Sequence, residues 1–391
     1  MEPILQKVVP TDTTVSNTVP GMVLPLSATD VMVDNLKRRV AALEEKLSDA
    51  VIFRDYLQLA PYIPGPPVPG GPQALYDRAC SADNVTIKQW FDIWLDHVAK
   101  NKKRFGDFEK MSVMQDYAAS ALQPVIVAGS GPSLKKNVKA LAAERGNIKV
   151  VSCLHNFAFF EDNGVNADYY VNLDAGDVTI SEMSQGGREP ESHYWERTKD
   201  RTLVTAITGH PDLINRWKGR VLFYNVIAPT PEYIHRLKEI TKFNVTYSVG
   251  GNSLGACLYH AKAILGGCPI AYVGADFCFG YNKKFHSWDS PYDKQFSGLM
   301  KAVDIYGMPV WTWPSYFNFK CFFDFLACGG QGNQPGQYYN CTEGGILGAY
   351  NEGNIVQIKQ ESLAAFLWSY NLHKRIPELL SRDEANYQFL Y

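Results

Sequence analysis

Five residues, Gly129-Ser130-Gly131-Pro132-Ser133, stand between a short apolar run and a helical pattern. The run is Val125 to Ala128; the pattern is Leu134, Val138, Leu141 and Ala142. Strand, glycine turn and helix are how α/β proteins present backbone N–H groups to a phosphate. A helix N-terminus carries partial positive charge and unpaired donors. Gly129 and Gly131 let a ligand come close to the backbone. Ser133 is placed to cap the helix and to donate its hydroxyl to the same ligand. The turn is not a Walker loop, and Leu134 stands where a dinucleotide fingerprint wants its third glycine. An ordinary strand-to-helix turn explains the same residues.

A second candidate anion-binding turn, Ser248-Val249-Gly250-Gly251-Asn252-Ser253, also opens a helical pattern. Further polar groups follow other apolar runs: His155 and Asn156, then Asn172, Asp174 and Asp177, then Asp276, with Lys283, Lys284 and His286 after it. Singly, each reads as a cap, a turn residue or a solvated loop. Together they recur where a parallel sheet opens its mouth. A further glycine turn, with Thr342, Glu343 and Gly344, follows Tyr338 to Cys341.

These groups need a sheet to position them, and the chain supplies one from Pro124 onward. Strand candidates are 125–128, 149–154, 168–173, 202–207, 221–226 and 270–274, with helices between several of them, notably 133–144 and 253–266. The alternation predicts an α/β fold: a Rossmann-like, mainly parallel sheet with helices on both faces. Ligands in such sheets bind beyond the C-terminal strand ends.

Before the sheet lie an extended arm (1–30), a coiled-coil-like helix (31–60), a proline-rich linker (61–72) and a helical lead-in (73–122). In the second of these, Val33, Leu36, Val40, Leu43, Leu47 and Ala50 repeat at 3-4-3-4-3 spacing, which predicts a homo-oligomer through residues 1–60. In the lead-in, Ile87, Trp90, Phe91, Trp94, Leu95 and Val98 form one apolar face. The nucleotide-binding domain spans 123–310. An aromatic-rich extension and closing helix take 311–391, with a loop expected at 324–337 and an amphipathic helix at 360–380.

Composition narrows the class. In 391 residues, 46% hydrophobic and 20% charged, the net charge is −2, so no basic excess points to nucleic acid. No apolar run is long enough to span a bilayer. The eight cysteines are scattered without a CxxC, which argues against structural zinc and suits a reducing, cytoplasmic setting.

Four motifs, in order, resemble the domain shared by bacterial flagellin-glycosylating motility accessory factors and archaeal 6-hydroxymethylpterin diphosphokinase-like proteins. They are 129–134, 248–251, 269–276 and 340–345, and the likeness covers roughly residues 120 to 350. The same core looks like the bacterial sialyltransferases that use CMP-activated sugars. That resemblance implies that Ser130, Gly131, Ser133, Asn156, Asn172, Ser248 and Gly250 surround the nucleotide; with Gly129, Pro132, Asp174, Gly251, Asn252 and Ser253 from the same turns they make up the expected nucleotide site. It implies a downstream histidine as base, for which His286 is the candidate; Asp276 is the second expected catalytic residue, and Thr342, Glu343 and Gly344 are expected toward the substrate.

The implied reaction moves a nonulosonic (sialic- or pseudaminic-like) sugar from a CMP donor to a hydroxyl acceptor, with no cofactor required. The alternative is an ATP:hydroxymethylpterin-type diphosphokinase, in which Asp174, Asp177 and Asp276 would hold Mg²⁺. The third reading is a non-enzymatic subunit of a phage-type particle, assembled through the arm and helix.

Overall fold

The computed structural model describes residues 71–226, 230–281, 284–290, 298–327, 338–349 and 358–370, and the isolated positions Val33, Leu36, Lys37 and Val40. For 71–86 and 88 it describes the backbone alone. Val33, Leu36, Lys37 and Val40 are helical, and the three apolar side chains are exposed. The arm, most of the heptad stripe, most of the proline-rich linker, Lys283 and residues 371–380 of the closing helix lie outside the described residues.

Among the described residues there are eleven strands: β1 (Gln123–Ala128), β2 (Lys149–Cys153), β3 (Tyr169–Asn172), β4 (Thr202–Ala206), β5 (Arg220–Val226), β6 (Thr246–Tyr247), β7 (Gly267–Val273), β8 (Met300–Val303), β9 (Pro309–Thr312), β10 (Tyr338–Asn340) and β11 (Ile358–Gln360). Nine of them make one sheet, in the order β11-β10-β7-β1-β2-β3-β4-β5-β6, and every pairing in it is parallel. The remaining two, β8 and β9, form an antiparallel hairpin. The chain runs outward from β1 to β6, then returns to place β7 on the other side of β1. That reversal is the switch point, where two loops diverge and leave a crevice.

Strand β1 shows why the sequence pattern reads as a buried parallel strand. Val125 and Val127 pack into one core, and Ile126 and Ala128 into the other. Both faces are covered, so the strand is apolar at every position. The helices are α1 (Gly71–Phe105), α2 (Leu134–Glu144), α3 (Phe157–Asp162), α4 (Val178–Glu182), α5 (Glu191–Arg197), α6 (Pro211–Arg216), α7 (Pro231–Ile240), α8 (Ser253–Tyr259) and α9 (Pro314–Ala327). Residues 363–370 are also helical. Helices α8 and α9 cover the Val125 face; α2, α3, α5, α6 and α7 cover the other.

Helix α1 ties the lead-in to the sheet's mouth. Phe91 and Trp94 meet Tyr233 of α7 edge-on, with centroids 5.5 and 5.8 Å apart. The Asn101 amide donates to Ile207 O and Gly209 O, both at 3.0 Å, and so fixes the loop after β4.

Four expectations change. Helix α1 begins at Gly71, inside the expected linker, because Pro72 fits a first helical turn whose N–H has no partner to lose. It stops at Phe105, and short 3₁₀ turns, not continuous helix, carry the chain to 121. The sheet does not end at residue 310: β10 and β11 extend it beyond β7. Strands of three residues are too short to show a period. The loop expected from Asp324 begins later, because α9 continues to Ala327; residues 328–337 lie outside the described residues.

Candidate active site

The loops that leave β1 and β7 touch. Gly129 N donates to Val273 O at 2.8 Å and Gly131 N to Gly274 O at 2.9 Å. A Cβ on Gly129 would stand 2.5 Å from Gly274 O, and one on Gly131 would stand 2.1 Å from Asp276 Oδ2. The glycines are therefore required by loop-on-loop packing, and their N–H groups are already used. Ser133 does not cap its own helix, correcting the expectation. Its hydroxyl donates to Asp276 Oδ2 at 2.7 Å and its N–H to the same oxygen at 3.3 Å. Lys135 N donates to Ser287 Oγ at 3.0 Å, and that hydroxyl donates to Gly131 O at 2.7 Å. The turn is a buttress around a carboxyl group, not an open phosphate cradle.

The motif near residue 342 supports the same carboxyl from behind. Ala275 N donates to Thr342 Oγ1 at 3.1 Å, and Ile346 N donates to Asp276 O at 2.9 Å. Thr342 is fully buried, so it is a support and does not meet substrate. Glu343 Oε1 accepts from Leu363 N at 3.1 Å, at the start of the 363–370 helix. A Cβ at Gly344 would stand 4.0 Å from Asp276 Oδ1.

Burial pushes Asp276 up from 3.8 to about 6, against the pull of the two Ser133 hydrogen bonds and of Lys136. Because the folded value lies above the unfolded one, this group's stabilisation is fully present below about pH 4 and is lost as pH rises through about 6. The span is worth on the order of 3 kcal/mol. The Asp276→Asn variant escapes that loss. Its melting temperature should gain several degrees on the wild type between pH 4 and pH 7. A constant difference over that range would show that the carboxyl is not held near 6.

Between the strand ends lies a cavity of about 440 Å³. Polar residues line it: Gly129, Ser130 and Gly131, Asp174, Gly251, Asn252 and Ser253, with Asp276. Aromatic residues line it too: Phe277, Phe285, Trp313, Tyr316 and Phe319. Other expected residues stand behind the walls. Buried Asn156 donates to Gly129 O and to Ser152 Oγ, both at 3.0 Å. Asn172 donates to Asp174 O at 3.0 Å and to Thr205 Oγ1 at 3.2 Å. Asn252 caps α8, its Oδ1 accepting from Gly255 N at 2.8 Å. Pro132, Ser248 and Gly250 do not line the cavity, and Gly250 packs against the Phe322 ring.

His286 lines the cavity, as expected. Its surroundings do not make it a base near neutral pKa. Burial, with His155 adding to it, pushes His286 down to about 3. Its ring stacks on Trp288 at 5.0 Å and 14°.

The sequence reading did not include two residues of the cavity wall in the site, His155 and Glu182. His155 sits on the 3₁₀ turn Leu154–Asn156 after β2, and Glu182 ends α4. Nε2 of His155 pairs with Oε2 of Glu182. The Glu182 side chain is 3% exposed, that of His155 31%. Burial works against charge on His155, but Glu182, with Cys153 and Asp174 adding, carries its pKa above the ordinary 6.5. The position of His155 after a strand was visible in the sequence. Nothing in the sequence near Glu182 marks it.

Of the carboxylates of the metal reading, Asp174 and Asp276 line the cavity and Asp177 does not. Asp177 is 95% exposed and pairs with His210 Nε2 at 2.7 Å; Asp174 Oδ1 accepts from Gly176 N at 2.8 Å; Asp276 holds Ser133. Among the described residues, no three His, Cys, Asp or Glu side chains are grouped to hold a metal ion.

Residues 95–282 match the family model described as 6-hydroxymethylpterin diphosphokinase MptE-like. The matched stretch, just under half of the chain, takes in β1 to β7, both early glycine turns and Asp276, while the Thr342 turn that braces Asp276 lies beyond it. Among solved structures the chain is similar to the MAf glycosyltransferase from Magnetospirillum magneticum AMB-1, at 16% identity and a TM-score of 0.47. That likeness covers 69% of this chain and 38% of the other, so the chain spans well under half the length of that protein. No curated protein matches the chain in sequence. Among the described residues no helix is long and apolar enough to cross a membrane.

Proposed function

We propose that the cavity binds a nucleotide-activated sugar and transfers the sugar to a hydroxyl acceptor. The observation that carries this reading is that aromatic rings and hydroxyl, amide, carboxyl and imidazole groups line one cavity at the switch point of the sheet. Aromatic faces stack on a nucleobase or on the apolar face of a sugar ring. The polar groups offer hydrogen bonds to sugar hydroxyls. Asp276, near 6, keeps a share of its proton close to neutrality and can donate to the oxygen of a departing phosphate. By the resemblance above, the donor is a CMP-linked nonulosonic sugar.

The description of the matching family supports a second reading, diphosphoryl transfer from ATP to a pterin-like alcohol. Against it, no lysine or arginine is among the described residues lining the cavity, and Asp177 is held by His210. A triphosphate asks for more positive charge than a monophosphate.

A thermal-shift series separates the two. At about 100 times its dissociation constant a ligand adds roughly 2.7 kcal/mol. The expected result is stabilisation by CMP that does not need Mg²⁺. Stabilisation by ATP only when Mg²⁺ is present would replace the sugar reading with the diphosphokinase. No response to either would remove both.

A further inference from the structure

We infer that His155, oriented by Glu182, is the proton acceptor of this cavity, and that His286 is a neutral part of its wall. The inference rests on the transfer reading above and assigns one role within it.

Three observations carry it. His155 is the cavity-lining histidine with exposed side-chain surface, 31%, whereas His286 as a residue is 6% exposed. His155 Nε2 lies against the buried Glu182 Oε2; a proton held on Nε2 by that carboxylate makes Nδ1 the nitrogen that can accept from a substrate hydroxyl. The two imidazoles lie 6.3 Å apart, so a charge on one opposes a charge on the other. The groups facing His155 are Glu182 from α4, Asp174 from the loop after β3, Cys153 from β2 and His286 from the loop at 284–290. Glu182, Asp174 and Cys153 favour its protonated form. Burial forces the neutral form on His286.

The step balances. The acceptor oxygen forms its bond to the anomeric carbon. The bond from that carbon to the phosphate oxygen breaks, and its electron pair leaves with CMP. The acceptor's proton passes to His155 Nδ1, and the resulting imidazolium is stabilised by Glu182. A carboxylate that orients a histidine and offsets its charge in this way is the working part of hydrolytic triads.

Two measurements test this on the full chain. The first is an NMR titration of the imidazole nitrogens from pH 5 to pH 9. His155 should titrate above 6.5 and fall by about one unit in Glu182→Gln, while His286 stays neutral throughout. The second is release of CMP from CMP-sialic acid, with water as acceptor. The rate should rise with pH along a limb set by His155, because the neutral form is the base. Glu182→Gln should move that limb to lower pH. His155→Asn should lower kcat by roughly 10²- to 10⁴-fold with little change in KM.

A His155 that titrates at or below 6.5, or that does not respond to Glu182→Gln, overturns the inference. So does a limb that survives in His155→Asn but vanishes in His286→Asn. If the wild type releases no CMP at any pH, the sugar reading fails, and the titration alone then decides the pair.

Discussion

Replacing Gly345 by alanine lowers the melting temperature by roughly ten degrees. Gly345 has φ +72°, and a Cβ there would stand 2.5 Å from both Cα and O of Asp276. The obstacle is backbone, which cannot swing aside as a long side chain can. The left-handed conformation costs a residue with a Cβ about 1–2 kcal/mol. Forcing an atom into a packed interior costs about 1–3 kcal/mol more. Each kcal/mol is worth about 2–4 °C in a body of this size. The control is Gly307→Ala: φ is +80° there, but nothing lies within 4 Å of the added Cβ. That variant should lose only the conformational part. Equal losses in differential scanning calorimetry would refute the packing argument.

Lys320→Met produces the second large effect. Lys320 and Asp324 form an i,i+4 ion pair on α9, Nζ to Oδ2 2.6 Å, with both side chains 1% exposed. Burial pushes the Asp324 carboxyl above its ordinary range, and Lys320 opposes that push. Removing the lysine leaves a buried carboxylate uncompensated, which costs about 3–5 kcal/mol. The double variant Lys320→Met with Asp324→Leu should recover most of that loss, because it removes both desolvation costs together. In the single variant Asp324 moves up further, so the loss should be smaller at pH 5 than at pH 8. Urea midpoints at the two pH values read both effects. A double variant as weak as the single one would show that the pair adds stability beyond what its apolar replacement supplies.

How much of this was legible in the sequence depends on what each residue does. The central strands were legible because a parallel strand covered on both faces is apolar at every position, as 125–128 and 149–153 are. The four glycine motifs were legible as turns but not in their purpose. Only the fold reveals that the N–H groups of Gly129 and Gly131 are consumed by β7's loop and that Ser133 serves Asp276. Thr342 looked like a substrate contact because it sits in a glycine turn, yet it holds Ala275 N. Glu182 was not legible, since its meaning comes wholly from the histidine that tertiary folding brings to it. The loop expected from Asp324 failed because that residue's helical partner, Lys320, contributes an attraction that composition does not show. His286 was placed correctly in the cavity, but burial decides its protonation, and burial is not a property of the local sequence.

The position of β7 has a consequence for how the molecule is made. Strand β1 ends at Ala128, and its second neighbour begins at Gly267, roughly 140 residues later. At about 5–20 residues per second a ribosome takes roughly seven to thirty seconds to supply them. For that time β1 has β2 on one side and an open edge on the other, a template for pairing with the wrong chain. The cavity itself needs Asp276, and Asp276 needs the turn at 342–346, so the pocket is among the last parts of the body to close. A nascent chain cannot recruit its ligand as a folding aid.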